Sequence, residues 1–327
     1  MDLRIIQESW LKILVYSLFG GILIVLPPFL SAYGVSLMTE ILITGILVLS
    51  LNILVGYTGL TSIGHAAFFG VGAYVVAILS TRFTLGMNGL VSFLLTFGLA
   101  IIAALLLGIV FGLLVARLRD LSFIMVTLAL AQTLWGIALS WRSITNGEDG
   151  LAGIARPDLG LPWSLGDPTS FYYFTLVFFL LSYFLLRYFA GSPFGHALIG
   201  IRESETRMKA LGYHTWTYKY IAYVIAGVFG GLAGILYAYF NGYVNIAAIG
   251  MGKSFEPLFM VILGGRSIFS GPVIGAAVTL LAVRLLSSWT EYWQFFLGAI
   301  FILTVMYSRE GIAHYVMQWI RGKGWKL

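Results

Sequence analysis

Runs of about 17 to 25 apolar residues recur from one end of this chain to the other, each long enough to cross a hydrocarbon core about 30 Å thick at about 1.5 Å per helical residue. Candidate spans fall at 11–30, 36–55, 62–80, 90–115, 122–141, 171–190, 217–240, 254–264, 272–288 and 292–308. Charged residues make up 10% of the 327 residues, against about 25% in a soluble globular chain, which is too few to build a water-facing surface. The strict apolar/polar alternation of a membrane barrel is absent, and a helix satisfies its own backbone hydrogen bonds within one segment. The expected fold is therefore an all-α integral membrane protein: one domain, residues 1–327, of about 8–10 spanning helices. The piece at 254–264 (SFEPLFMVILG) is half the length of a span and runs into a Gly-rich stretch, so a broken or re-entrant helix is expected there.

Orientation follows from the basic residues, because loops rich in Lys and Arg stay cytoplasmic. Arg187, Arg202, Arg207, Lys209 and Lys219 mark one inside segment, and Arg309, Arg321, Lys323 and Lys326 place the C-terminus inside. Residues 142–170 carry Glu148, Asp149, Asp158 and Asp167 and are expected outside. An inside N-terminus then also puts the Arg117, Arg119, Asp120 turn in the cytoplasm. The first span runs on to Pro27 and Pro28 without a small-residue cleavage site and reads as retained.

Several chemistries are disfavoured by residue content. There is no cysteine, and His65, His196, His214 and His314 are scattered without metal-ligand spacing. The net charge of +6 is explained by basic loops, so nucleic acid is not an expected partner. AAIGMGKS, from Ala247, imitates a phosphate-binding loop, but it joins two apolar segments where such a loop needs a strand before it and a helix after it in a soluble domain. No cofactor site and no catalytic site are expected, and a transporter that cannot bind ATP must borrow an ATPase or use an ion gradient.

The most informative stretch is SPFGHALIGIRESETRMKALGYHTW, a polar island at about 191–215 between two spans. Ser192 followed by Pro193 is a helix start and Gly212 a helix stop. Met208 and Leu211, three apart, are expected on one face, with Arg202, Arg207 and Lys209 elsewhere. Such a segment either docks a partner or lies on anionic headgroups.

This stretch resembles the coupling loop of ABC-importer permeases of the branched-chain amino-acid (LivM/LivH) family, in which arginine, acid, x, acid is followed by Ala-x-Gly. Here these are Arg202, Glu203, Glu205, Ala210 and Gly212. GYTGLTSIGHAAFFGVGAY from Gly56, TNGEDGLAGI from Thr145 and LGGRSIFSGPVIGA from Leu263 fit the same family in the same order, with a form closer to its LivM branch. The Glu-Ala-Ala then glycine of permeases in general is not matched, since Thr206 and Arg207 stand where alanines are expected. The resemblance implies a permease subunit that forms part of a pathway for branched-chain or related amino acids in a bacterial or archaeal inner membrane. It also implies three kinds of partner: a second, LivH-like permease, two cytoplasmic ATPase subunits and an extracytoplasmic solute-binding protein. The implied ATPase-coupling residues are Arg202, Glu203, Glu205, Arg207, Met208, Ala210, Leu211 and Gly212. Similar permeases carry urea or short amides. A stand-alone channel or gradient-driven carrier is the competing class, but the buried charge relay of a carrier is missing.

Ionisable and small residues at membrane depth are the remaining candidates. His65 sits among Gly64, Gly70 and Gly72, either packed and hydrogen-bonded or lining the pathway. Lys253 and Glu256 read as an interfacial pair in preference to a substrate clamp, with Gly264 and Gly265 at the end of the short segment. Arg284 is expected to snorkel outward, and Asn52 and Gln132 to bond neighbouring helices. TSIGHAAFFGVGA from Thr61 and RSIFSGPVIGAAV from Arg266 form a possible internal echo.

Overall fold

A computed structural model describes residues 20–21, 23–83, 89–158, 160, 164–307 and 311–315. The helices of six or more residues are α1 (Ala32–Asn52), α2 (Ala66–Arg82), α3 (Gly89–Val115), α4 (Asp120–Ser140), α5 (Pro168–Gly191), α6 (Pro193–Glu203), α7 (Glu205–Ala210), α8 (Thr215–Asn241), α9 (Met251–Gly264), α10 (Gly271–Trp289) and α11 (Trp293–Tyr307). Seven segments among the described residues are long and apolar enough to cross a membrane, and α2 and part of α11 are shorter apolar helices. The protein is an all-α, multi-pass membrane protein. Half of the expected span at 11–30, residues 11–19 and 22, lies outside the described residues.

α1 is the central helix. Its residues are apolar on every side, and nearly all of Leu42–Asn52 is buried, as expected of a helix surrounded by others. It continues without a break into a π-helical turn, Ile53–Thr58, and stops at Gly59 in the left-handed conformation (φ 74°). A side chain would be strained at that φ, and its Cβ would lie 2.7 Å from Arg202 Cγ. α8 packs against α1, α2 and α3, and meets α2 and α3 through glycines. A Cβ on Gly72 would lie 2.2 Å from the Gly231 carbonyl, and one on Gly234 would run into Phe69 O, so these backbones touch as only small residues permit. A second apolar cluster, built from Val48, Leu51, Leu258, Met260, Val261, Ala276 and Leu280, fastens the α9–α10 hairpin to α1. Gly264, Gly271 and Gly275 bring the two arms of that hairpin into backbone contact. α3 and α4 show most of their apolar surface to the outside.

Two ends are distinct. The α3–α4 turn, α6 and α7 share a basic end, where Arg119 meets Glu205. Residues 142–158 and 164–167 share the acidic end with the C-terminus of α8. There, two-residue strands Leu151–Ala152 and Tyr243–Val244 pair antiparallel, and Tyr243 Oη donates to Asp149 O at 3.0 Å. Arg156 Nη1 braces this end by donating to Leu165 O and Gly166 O at 3.1 and 2.9 Å, and its guanidinium lies over Phe171.

The short segment is longer than expected. α9 starts at Met251, follows a 3-10 turn at Ile246–Ala248, and with it makes 19 residues, Pro257 included. Both members of the internal echo sit where a helix reverses direction, 59–65 before α2 and 265–270 before α10. The π-helical turn before the first reversal touches the second, since a Cβ on Gly56 would lie 2.8 Å from Arg266 O.

Candidate functional site

The loop at 191–215 is two helices at an angle. The Ser192 hydroxyl accepts from Gly195 N, Pro193 occupies the first turn, and Ser204 both ends α6 and caps α7 by accepting from Arg207 N. Gly212 (φ 87°) ends α7, with Gly212 N donating to Lys209 O and Tyr213 N to Met208 O, which satisfies carbonyls that the helix end leaves free.

Glu205 is the node of this loop. Its carboxylate receives Arg119 Nε at 2.9 Å, Lys209 Nζ at 3.2 Å, Lys219 Nζ at 3.3 Å and the Thr215 hydroxyl at 2.9 Å. One side chain thereby joins α7 to the α3–α4 turn and to the first turns of α8. Burial pushes the Glu205 carboxyl up, but the Thr215 hydrogen bond and the two lysines outweigh it and hold the group below its ordinary value. Lys219 is 3% exposed, so without Glu205 it would be a buried, unpaired charge.

Arg202 reaches in the other direction. Its Nη1 donates to the Gly56 carbonyl, which lies in the π-helical turn, and its side chain rests on Gly59. Glu203, Arg207, Lys209, Ala210 and Gly212 are exposed. Met208 and Leu211 part company: Met208 Sδ lies where a Cβ on Gly200 would meet it at 2.7 Å, between α6 and α7, whereas Leu211 is 68% exposed. The three-residue spacing does not put them on one face because α7 ends between them, and the chain turns at Leu211.

At membrane depth, His65 is fully buried, with Nε2 2.8 Å from Ser50 Oγ and its ring edge-on to Phe68. Ser50 in turn donates to Leu47 O at 2.7 Å, which leaves its oxygen to accept from His65 Nε2–H. The neighbouring glycines act through close approach: a Cβ on Gly64 would lie 2.2 Å from Thr127 O, and one on Gly70 2.1 Å from Ile249 Cγ1. Gly265 (φ 100°) caps α9. Lys253 pairs with Glu256 at 3.0 Å and lies over the Phe69 and Tyr237 rings, so the residue that imitates a phosphate-loop lysine is held inside a helix.

Arg284 meets Glu40 of α1 at 2.6 Å and ties α10 to the central helix. One expectation is corrected. Both side-chain atoms of Asn52, and Gln132 Nε2, are buried with no hydrogen-bond partner among the described residues, so neither amide bonds a neighbouring helix in the expected way. Sequence reasoning missed Glu40 and Thr215, and it missed Arg119 as the partner of Glu205. An acid eight residues inside an apolar span was the available signal for Glu40.

The profile of the family described as the branched-chain amino acid transport system / permease component matches residues 33–305, which include every element of this site. The chain belongs to that family. This permease component is 28% identical over 308 residues to the LivM high-affinity branched-chain amino acid transport permeases of Salmonella typhimurium and Escherichia coli, covering 87% of its own length and 71% of theirs. A probable branched-chain amino acid transport permease LivM of Methanocaldococcus jannaschii is 28% identical over 312 residues, 81% of this chain and 88% of the relative. No solved structure matches. As a permease component it is one part of a transport system, and it resides in the inner membrane as a multi-pass protein.

Proposed function

We propose that this permease is one half of the membrane pathway of an ABC importer for branched-chain or closely related amino acids. A second, LivH-like permease completes the pathway, two cytoplasmic ATPase subunits drive it, and an extracytoplasmic binding protein delivers the solute. The observation that carries the reading is the Glu205 node. It ties an exposed two-helix loop, through Arg119, Thr215 and Lys219, to three membrane helices.

The basic end is then cytoplasmic together with both termini, and the acidic end faces the binding protein. Closure of the ATPase pair on ATP would move α6 and α7 as a unit. Through Glu205 the motion reaches α3, α4 and α8, and through Arg202 it reaches the π-helical turn of α1 and the reversal that leads to His65. Arg202, Glu203, Glu205, Arg207, Met208, Ala210, Leu211 and Gly212 form the coupling segment. Within it, Arg207, Ala210 and Leu211 are the surface offered to the ATPase, and Met208 is its internal brace.

Uptake of radiolabelled leucine, isoleucine and valine by proteoliposomes holding the co-expressed complex tests this. Uptake that requires ATP inside and binding protein outside supports it. Equal uptake by the lone chain without ATP would turn the reading into a channel or carrier.

A further inference from the structure

The basic end contains a cleft of about 540 Å³ between the α3–α4 turn, α7 and the start of α8. Four cations line it, Arg117, Arg119, Lys209 and Lys219, and one carboxylate, Glu205. Even with Glu205 fully used, an excess of three positive charges remains in one concavity. Clustered cations with low-dielectric walls concentrate positive potential and call for an anion.

Trp216 also lines it, stacked on Tyr220 with ring centroids 5.3 Å apart.

We propose that this cleft binds the phosphate-bearing headgroup of an anionic phospholipid. The apolar surroundings favour a lipid over an acidic side chain of another protein. Leu113 and Leu114, at the end of α3, and Leu121, at the start of α4, are exposed and lie within a turn of the lining residues. A phosphodiester in the cleft leaves its acyl chains against that surface, and a stacked Trp and Tyr at the same level are what a membrane interface favours. Basic pockets between spanning helices on the cytoplasmic side are suited to such headgroups, and each nearby Lys or Arg adds to the attraction. The lipid would brace the same α3–α4 turn that Arg119 ties to Glu205. Binding here depends on the charges and the membrane, so it stands or falls apart from the identity of the transported solute.

Native mass spectrometry of the full-length protein in its purified complex tests this, with dioleoylphosphatidylglycerol titrated against dioleoylphosphatidylcholine. The wild type should retain one phosphatidylglycerol more tightly than phosphatidylcholine. Arg117→Gln combined with Lys209→Gln, both exposed, should weaken that adduct by about tenfold or more, since each basic residue near the surface adds to the attraction for an anionic headgroup. Either of two results would overturn the proposal: equal retention of the two lipids, or an adduct unchanged in the charge variant. Displacement of the lipid by millimolar inorganic phosphate alone would make a free anion the occupant and equally overturn it.

Discussion

Arg119 Nε, in the turn between α3 and α4, lies 2.9 Å from Glu205 Oε2 in the loop between α5 and α8. Two stretches more than eighty residues apart meet in one ion pair, which Lys219 shares from below at 3.3 Å. Glu205→Gln leaves Lys219 buried without its counter-ion, and removal of one partner from a buried pair costs about 3 kcal/mol or more. The melting temperature of the detergent-solubilised protein should fall clearly. Lys219→Met, which removes the buried charge itself, should cost less. Equal losses would mean that Lys219 is solvated and the node is a surface contact.

The same carboxylate sets an acid limit. Its folded value is held below the ordinary 4.5, so its stabilising contribution is complete above pH 4.5 and is lost as pH falls through the folded value. Melting temperatures between pH 6 and pH 3 should decline for the wild type, and Glu205→Gln should lack that part of the decline. Parallel curves for the two proteins would contradict the assignment.

Backbone contact between α2 and α8 makes Gly72 intolerant of any side chain. Gly72→Ala forces a Cβ to within 2.2 Å of Gly231 O and should destabilise by about 2 kcal/mol or more, seen as aggregation on size exclusion or a lowered melting temperature. Gly98→Ala in α3 meets nothing within 4 Å and should be neutral or slightly stabilising.

Met208 and Leu211 should separate in their effects. Met208→Asp puts a charge into the half-buried contact between α6 and α7 and should lower stability, whereas Leu211→Asp changes an exposed position and should leave melting within about 0.5 kcal/mol of wild type. Leu211→Cys, in a chain without native cysteine, labelled with a maleimide-benzophenone reagent and irradiated should cross-link to the ATPase subunit, and Met208→Cys labelled in the same way should not.

The helices are legible in the sequence because each apolar run carries its own signal: 217–240 is expected and Thr215–Asn241 found, 90–115 expected and Gly89–Val115 found. The caps at Ser192, Pro193 and Gly212 are equally local. What the sequence hides depends on contact between distant segments. The Glu205 node requires knowing that the α3–α4 turn packs on α7, and the Arg284–Glu40 pair joins residues 244 positions apart. The π-helical turn at Ile53–Thr58 has no composition signal, since ILVGYT reads as an ordinary helix end before a glycine. Leu211 and Met208 were misjudged for a nearer reason: a three-residue spacing means a shared face only while the helix lasts, and α7 is six residues long.

The central claim is that the exposed face of the α6–α7 loop is where an ATPase attaches, and co-purification from native membranes reads it most directly. Affinity-tagged wild type should bring down P-loop ATPase subunits and a second permease. Arg207→Glu with Leu211→Asp should lose the ATPases while keeping the second permease and full membrane insertion. A chain that purifies alone or as a homo-oligomer and still transports, or a double variant that retains the ATPases in full, would contradict the account.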